Sequence, residues 1–266
     1  FFQAEDGIRD SSTSRGRGDV YKRQDYAASK VKVQYEVLES VTNVEDATKE
    51  NAPILLEDLV GDHIGEKVSN TNIASITRHE FGDPDKAFKD AVHVVEKTFT
   101  LQMVHQGYIE PHNATAHWDE DDRIKVWTST QGAFPVRTST AAILDMDVSR
   151  IKVTPLEIGG GFGGKIPVYL EPVVSIQSKK SQRPVKAVME RSSVFQASGP
   201  APGGTITVKM GTDKDANIIA AETSIKLEAG GFPGAAVGAA VQCIFAPYDI
   251  PNTRIDGYDI VVNKPK

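Results

Sequence analysis

The hydrophobic and polar positions of the chain change their period several times between residues 84 and 227. Aliphatic residues at helical spacing predict three helices, at residues 84–92, 134–146 and 170–180. Runs of β-branched and aromatic residues predict strands, which lie at residues 92–104, 113–118, 123–129, 150–158, 185–190, 205–210 and 218–227. Because helices and strands alternate along the chain, the pattern predicts a mixed α/β (α+β) fold.

The pattern is weaker before residue 84. Residues 31–35 alternate as in a half-buried strand, and residues 44–49 predict a short helical turn. Residues 51–77 mix Gly, Asn and Asp with scattered aliphatic residues, which predicts a connection. Residues 1–24 show neither period and resemble a translated sequencing-adapter peptide, so we expect a disordered, non-native segment there.

The composition excludes several classes of protein. The chain is 39% hydrophobic and 25% charged, and no apolar run is long enough to cross a membrane. A net charge of -6 argues against a nucleic-acid partner, which requires a surplus of Lys and Arg. Cys243 is the single cysteine, so this chain holds neither an internal disulfide nor an iron–sulfur cluster. With no secretory signal in view, we expect a cytoplasmic, bacterial protein.

The densest chemical signal is the glycine loop, residues 159–165, which has five glycines in seven positions after a predicted strand. Such a loop brings the backbone close to a ligand and presents successive N–H groups to it. A phosphate loop would need Ser or Thr where Ile166 stands, and a dinucleotide fingerprint would need an acid about twenty residues further on. A tight turn without a ligand is the third interpretation, and the loop alone leaves all three open.

Four further blocks accompany the glycine loop in a fixed order; they are residues 108–116, 126–131, 183–191 and 228–234. Together the five blocks closely resemble the molybdopterin-binding part of the xanthine dehydrogenase and aldehyde oxidase family, which includes carbon monoxide dehydrogenase and nicotinate dehydrogenase. The resemblance covers residues 25–266. It implies that residues 25–77 are the end of the family's hammerhead α/β domain plus a linker. Residues 78–266 would then be the first part of the molybdenum-cofactor-binding domain, truncated.

The resemblance also implies site residues. Gln131 would lie beside the molybdenum and hydrogen-bond an oxygen ligand, so Gln131 and Phe162 are the candidate catalytic residues. Gln131, together with Gly160, Gly161, Phe162 and Gly163, would bind the cofactor. Glu110 is interpreted as a structural anchor that accepts backbone hydrogen bonds. No residue of this chain is proposed as a direct metal ligand.

Two positions depart from the purine-oxidising members of the family. Those members have Glu and Arg where this chain has Ile166 and Ala239. Polar groups of xanthine would meet apolar side chains there, so the substrate pocket favours an aldehyde or an N-heterocycle. The reaction implied is oxidative hydroxylation with water as the oxygen source.

The resemblance implies cofactors and partners as well. The cofactor would be molybdenum-molybdopterin, in its cytosine dinucleotide form, and iron–sulfur clusters and FAD would belong to partner subunits. The family's general-base glutamate belongs to a segment beyond residue 266, so we expect the chain to be inactive alone. The alternative that stays open is a nucleotide- or phosphate-binding domain that uses the glycine loop.

Overall fold

The computed structural model describes residue 23 and residues 26–266. The chain forms two compact units, residues 1–39 and residues 40–266. In the first, residues 26–30 are helical, and residues 31–39 have no regular structure. The predicted strand at 31–35 is therefore wrong: Val31, Val33 and Tyr35 are exposed, and an alternating pattern forms a strand only where a neighbouring strand supplies backbone partners. The disorder predicted for residues 1–24 lies outside the described residues, apart from Arg23.

The strands of the second unit form two sheets. They are β1 Val60–His63, β2 Glu66–Ser69, β3 Ile73–Phe81, β4 His93–Leu101, β5 Asn113–Trp118, β6 Ile124–Thr128, β7 Ile151–Pro155, β8 Val185–Val188, β9 Gly204–Thr212, β10 Ile218–Gly230 and β11 Thr253–Val261. One sheet has the order β2-β1-β3-β11-β10-β9-β4, and the other has the order β7-β6-β5-β8. The pairs β1/β3, β10/β11 and β6/β7 are parallel, and the other neighbours are antiparallel.

The helices of this unit are short. They are α1 Val44–Ala47, α2 Pro84–Asp90, α3 Ala133–Leu144, α4 Glu171–Ser181, α5 Arg191–Ala197 and α6 Val237–Cys243, with a 3₁₀ turn at Val148–Arg150. The start of α2 shows why the sequence signals were correct. Asp83 accepts a hydrogen bond from the Lys86 N–H at 3.0 Å, and Pro84 takes the first turn, where no N–H partner is needed.

The four-stranded sheet has its own hydrophobic core. Burial alternates along β5, so that Ala114, Ala116 and Trp118 face inward towards α4, and Val174 packs against them. The Ser178 hydroxyl on α4 accepts a hydrogen bond from the Trp118 N–H at 2.9 Å. The two elements are therefore joined by apolar packing and by a buried polar contact.

In the seven-stranded sheet, α6 follows β10 and precedes β11, because two parallel strands need a crossover connection. Gly257 of β11 lies directly beneath this helix. A Cβ atom at Gly257 would come within 2.4 Å of Val237 and 2.5 Å of Val241, so a glycine is required for helix and strand to pack this closely.

The interpretation of residues 51–77 as a connection is wrong. They contain β1, β2 and most of β3, which pairs with β11 over residues 73–81. These strands are short or carry few consecutive aliphatic residues, and long-range pairing stabilises them. The predicted helices and strands between residues 84 and 227 are otherwise present, and the mixed α/β class is confirmed. Among the described residues, no helix is both long and apolar enough to cross a membrane.

Candidate cofactor-binding site

The glycine loop lies at one end of the four-stranded sheet, between β7 and α4. Because β6 and β7 are parallel, their carboxyl ends meet at this end of the sheet. β5 runs antiparallel to β6, so the segment that precedes it arrives at the same place. The topology therefore brings together Glu110, Ser129, Gln131 and the glycine loop, which are far apart in sequence.

The Glu110 carboxylate holds the base of the loop. Its Oε2 atom accepts hydrogen bonds from Ser129 Oγ at 2.6 Å, the Gly159 N–H at 2.7 Å and Lys165 Nζ at 2.8 Å. Burial by itself raises the pKa of Glu110, but the hydrogen bonds from Lys165, Ser129, Gly159 and Asn113 outweigh it and lower the pKa to about 2. Glu110 is thus ionised at neutral pH and acts as the backbone anchor that the sequence predicted.

Lys165 lies inside the protein, and its side chain is 0% exposed. Besides Glu110, its Nζ atom contacts Ser129 Oγ at 3.0 Å and lies 4.9 Å from the centroid of the Tyr108 ring. An ammonium group engaged in this way does not reach a ligand outside the loop. A phosphate loop needs its lysine on the phosphates, so this geometry argues against the phosphate-binding alternative.

Gln131 holds the other side of the loop. Its Oε1 atom accepts hydrogen bonds from the Gly163 N–H at 3.0 Å and the Lys165 N–H at 3.2 Å. Two N–H donors on one oxygen fix which way the amide is turned, and its Nε2 donor points away from them. No acceptor for Nε2 is recorded among the described residues, and the side chain is exposed. Gln131 can therefore donate to a group in front of the loop.

The loop itself forms a cradle that a side chain would fill. A Cβ atom at Gly161 would lie 2.5 Å from Gln131 Oε1. Gly160, Phe162 and Gly163 have positive φ angles of 89°, 51° and 91°. Within the described part of the chain, the N–H groups of residues 160–162 have no recorded acceptor, and the Phe162 side chain is 72% exposed. Unpaired N–H groups beside an aromatic ring fit an anionic or oxo group of a bound cofactor.

Tyr108 forms the floor of the loop. Its Cβ atom would meet a Cβ atom at Gly160 at 3.1 Å, and its Cε1 atom would meet one at Gly164 at 2.8 Å. The phenol bonds His112 Nε2 at 2.6 Å and lies 3.2 Å from Ser198 Oγ. Burial makes the largest contribution to lowering the pKa of His112 to about 4, so the imidazole is neutral where it shares this hydrogen bond with the phenol.

Sequence reasoning did not find the buried contacts of Tyr108, Ser129 and Lys165. All three belong to the quoted blocks, but no spacing rule joins residues 36 or 55 positions apart.

The two predicted substrate-pocket residues lie on different elements. Ile166 follows the glycine loop and is 47% exposed. Ala239 is exposed on α6, which packs against the seven-stranded sheet. That these two residues line one pocket stays a prediction.

A family model described as the molybdopterin cofactor-binding domain matches residues 64–266. The chain belongs to this family. The molybdopterin-binding match includes the glycine loop, Glu110 and Gln131, so the cradle described above lies inside the family's cofactor-binding domain.

Known proteins agree with this assignment. The nicotinate dehydrogenase large molybdopterin subunit of Eubacterium barkeri is 28% identical over 243 residues, which cover 90% of this chain and 54% of that protein. CO dehydrogenase from Oligotropha carboxidovorans superposes with a TM-score of 0.71 at 25% identity, covering 92% of this chain and 32% of that one. The aldehyde oxidoreductase from Desulfovibrio gigas has the same fold, with a TM-score of 0.73 at 23% identity over 92% of this chain and 26% of that one. These relatives are oxidoreductases, and the chain spans between about a quarter and a half of their lengths.

Proposed function

We propose that this chain forms one wall of the active site in the large subunit of a molybdenum hydroxylase. The observation that carries the proposal is the cradle made by Gln131 and the glycine loop. Its rear is fixed by hydrogen bonds to Gln131 Oε1 and Glu110 Oε2, and among the described residues the N–H groups of residues 160–162 have no acceptor of their own. A rigid set of donors stabilises charge on a bound group without reorganising during the reaction.

The residues present fit molybdopterin. When bound, molybdenum-molybdopterin supplies two-electron redox chemistry at a metal centre. Towards it, Gln131 would donate through Nε2, Gly160, Gly161 and Gly163 would let the backbone approach closely, and Phe162 would exclude water. Gln131 and Phe162 are the proposed catalytic residues. We propose the cytosine dinucleotide form of the cofactor, with iron–sulfur clusters and FAD on partner subunits of a cytoplasmic, bacterial enzyme.

The proposed substrate is an aldehyde or an N-heterocycle, hydroxylated with water as the oxygen source. We propose that Ile166 and Ala239 line the substrate pocket, where their apolar side chains would stand in place of the charged ones that purine recognition needs. The similarity to a nicotinate dehydrogenase subunit supports an N-heterocycle. Since the chain spans only about half of that relative, the proposed activity is that of the complete large subunit. Within it, we propose that residues 25–77 end a hammerhead domain and residues 78–266 begin the cofactor-binding domain.

The test uses the complete large subunit, expressed with its neighbouring subunits in a host that makes molybdopterin. Bound molybdenum is measured by elemental analysis, and bound pterin by the fluorescence of its oxidised form. We expect stoichiometric molybdenum in the wild type and hydroxylation of members of a panel of aldehydes and N-heterocycles. In Gln131→Ala, both the bound molybdenum and the hydroxylase activity should be lower. A folded protein that contains no molybdenum, under conditions that load a known relative, would contradict the proposal.

A further inference from the structure

A single oxygen atom closes the glycine loop at its base. Glu110 Oε2 bonds the N–H of Gly159, the first residue of the loop, and Nζ of Lys165, the last. Glu110 lies 49 and 55 residues before these two partners, so the bonds join separate segments of the chain. The two ends of the loop are therefore held together by one carboxylate.

The Lys165 side chain has no freedom to serve elsewhere. Its ammonium group is surrounded by Glu110, Ser129 and the face of the Tyr108 ring, and it is fully buried. A buried charge is tolerated only with such partners, because leaving water is costly for an ion. The Lys165 side chain is therefore held in one position beneath the loop.

The remainder of the loop has fewer supports. Gln131 holds the N–H groups of Gly163 and Lys165. Among residues 26–266, Gly161 is hydrogen-bonded only through its carbonyl, which accepts from the Gly164 N–H at 2.8 Å. Glycine-rich backbone has many accessible conformations. The arrangement of the unpaired N–H groups of residues 160–162 consequently depends on how the two ends are clamped.

The geometry points to Lys165 and Glu110 as positioning residues, whose ion pair clamps the loop so that the unpaired N–H groups of residues 160–162 are held in one arrangement for the cofactor. This inference rests on the proposed function. It assigns the loop lysine a role behind the loop, on the side away from the ligand.

The first test compares Lys165→Met with Lys180→Met in the complete large subunit expressed with its partner subunits. Lys180 is exposed on α4 and provides the same substitution without a buried charge. We expect Lys165→Met to retain about 10- to 100-fold less molybdopterin after dialysis, the usual scale for a residue that orients a first contact. Amide hydrogens of residues 159–165 should also exchange faster in this variant, whereas Lys180→Met should match the wild type.

The double variant Lys165→Met with Glu110→Gln separates positioning from folding. It leaves no unpaired buried charge, so its unfolding temperature should recover towards the wild type. Molybdopterin retention should not recover, because the ion pair between residues 165 and 110 is still absent. The inference would be overturned if the single or the double variant retained as much molybdopterin as the wild type and its residues 159–165 exchanged amide hydrogens at the wild-type rate. If the wild-type subunit itself binds no molybdopterin, the proposed function fails, and hydrogen exchange alone then decides whether the clamp exists.

Discussion

The phenolic oxygen of Tyr108 lies 2.6 Å from Nε2 of His112, and both side chains are buried. The pKa of His112 is lowered to about 4, first by burial and then by the charge on Lys165. A neutral imidazole nitrogen can donate or accept a hydrogen bond, according to its tautomer, whereas an imidazolium can only donate one. The hydrogen bond between Tyr108 and the neutral His112 helps to hold the floor of the glycine loop in place.

This pair makes the stability of the protein depend on pH. The pKa of an unfolded histidine is about 6.5, so the unfolded chain binds a proton at His112 before the folded chain does. The contribution of His112 is fully present above pH 6.5 and is lost as the pH falls towards 4, to a total of about 3 kcal/mol. Glu110, whose pKa is lowered to about 2, contributes stability that is lost at lower pH, between about 4.5 and 2.

Urea unfolding at pH 7 and pH 4.5 measures this contribution in the wild type and in His112→Gln. The glutamine amide can donate or accept a hydrogen bond with Tyr108 in the same way but does not titrate. We expect the wild type to lose about 2 to 3 kcal/mol more than His112→Gln between the two pH values. Equal losses would show that His112 is not held neutral by its surroundings.

Gln131→Glu separates the two roles of the Gln131 amide. A carboxylate still accepts from the N–H groups of Gly163 and Lys165, so the unfolding temperature should stay close to the wild type. The outward donor is lost, and kcat of the complete enzyme should fall about 100-fold or more. Gln131→Met removes both functions and should lower kcat and the unfolding temperature together. A Gln131→Glu enzyme with wild-type kcat would refute the donor role.

Gly161→Ala tests whether the cradle needs space at the loop. The added methyl group would lie 2.5 Å from Gln131 Oε1, so Gln131 must move and release the N–H groups of Gly163 and Lys165. We expect molybdopterin content to fall and stability to drop by about 1 to 3 kcal/mol. In the control, Gly238→Ala, nothing lies within 4 Å of the new methyl group, and alanine should stabilise α6 by about 1 kcal/mol. Equal cofactor content in both variants would argue against the cradle.

Arg254 bonds three other segments, two of them strands of the seven-stranded sheet and one a helix. From β11 it bonds Glu80 of β3 at 2.7 Å, Glu222 of β10 at 2.8 Å and Asp85 of α2 at 2.9 Å. Arg254→Met should lower the free energy of unfolding by about 1 to 2 kcal/mol, and by less at high salt because the network is partly exposed. The pair of Lys49 and Asp46 lies on the surface, so Lys49→Met should leave stability unchanged. Salt-independent destabilisation of Arg254→Met would point to lost packing instead.

The sequence was informative where local patterns dominate. Asp83 and Pro84 marked the start of α2, and the alternation at residues 113–118 gave β5 with its buried face. The glycine loop was found as a candidate site because dense glycines after a strand are rare outside turns and ligand loops, and Gln131 was implied by the resemblance of the five ordered blocks to the family. The sequence was misleading at residues 31–35 and 51–77, where strand formation depends on the presence or absence of a distant partner.

β11 is a strand that the local sequence pattern does not predict. Asp256, Gly257 and Asp259 are poor strand formers, and no strand was predicted there. The element exists because β3 and β10 flank it and satisfy its backbone groups, and because Gly257 lets α6 pack against it. Such pairing cannot be seen in a local window.

By itself, the sequence determined the mixed α/β class, the family, and the candidate residues of the loop and of Gln131, because each depends on a local pattern or on an ordered set of short motifs. Only the tertiary structure decided the role of Lys165, which sequence spacing allowed to be a phosphate ligand. In the fold, residues 110, 129 and 165 meet because parallel and antiparallel strands end at one side of the four-stranded sheet. There the cost of burying an ammonium group is offset by the Glu110 carboxylate, and that pairing turns the lysine away from any ligand.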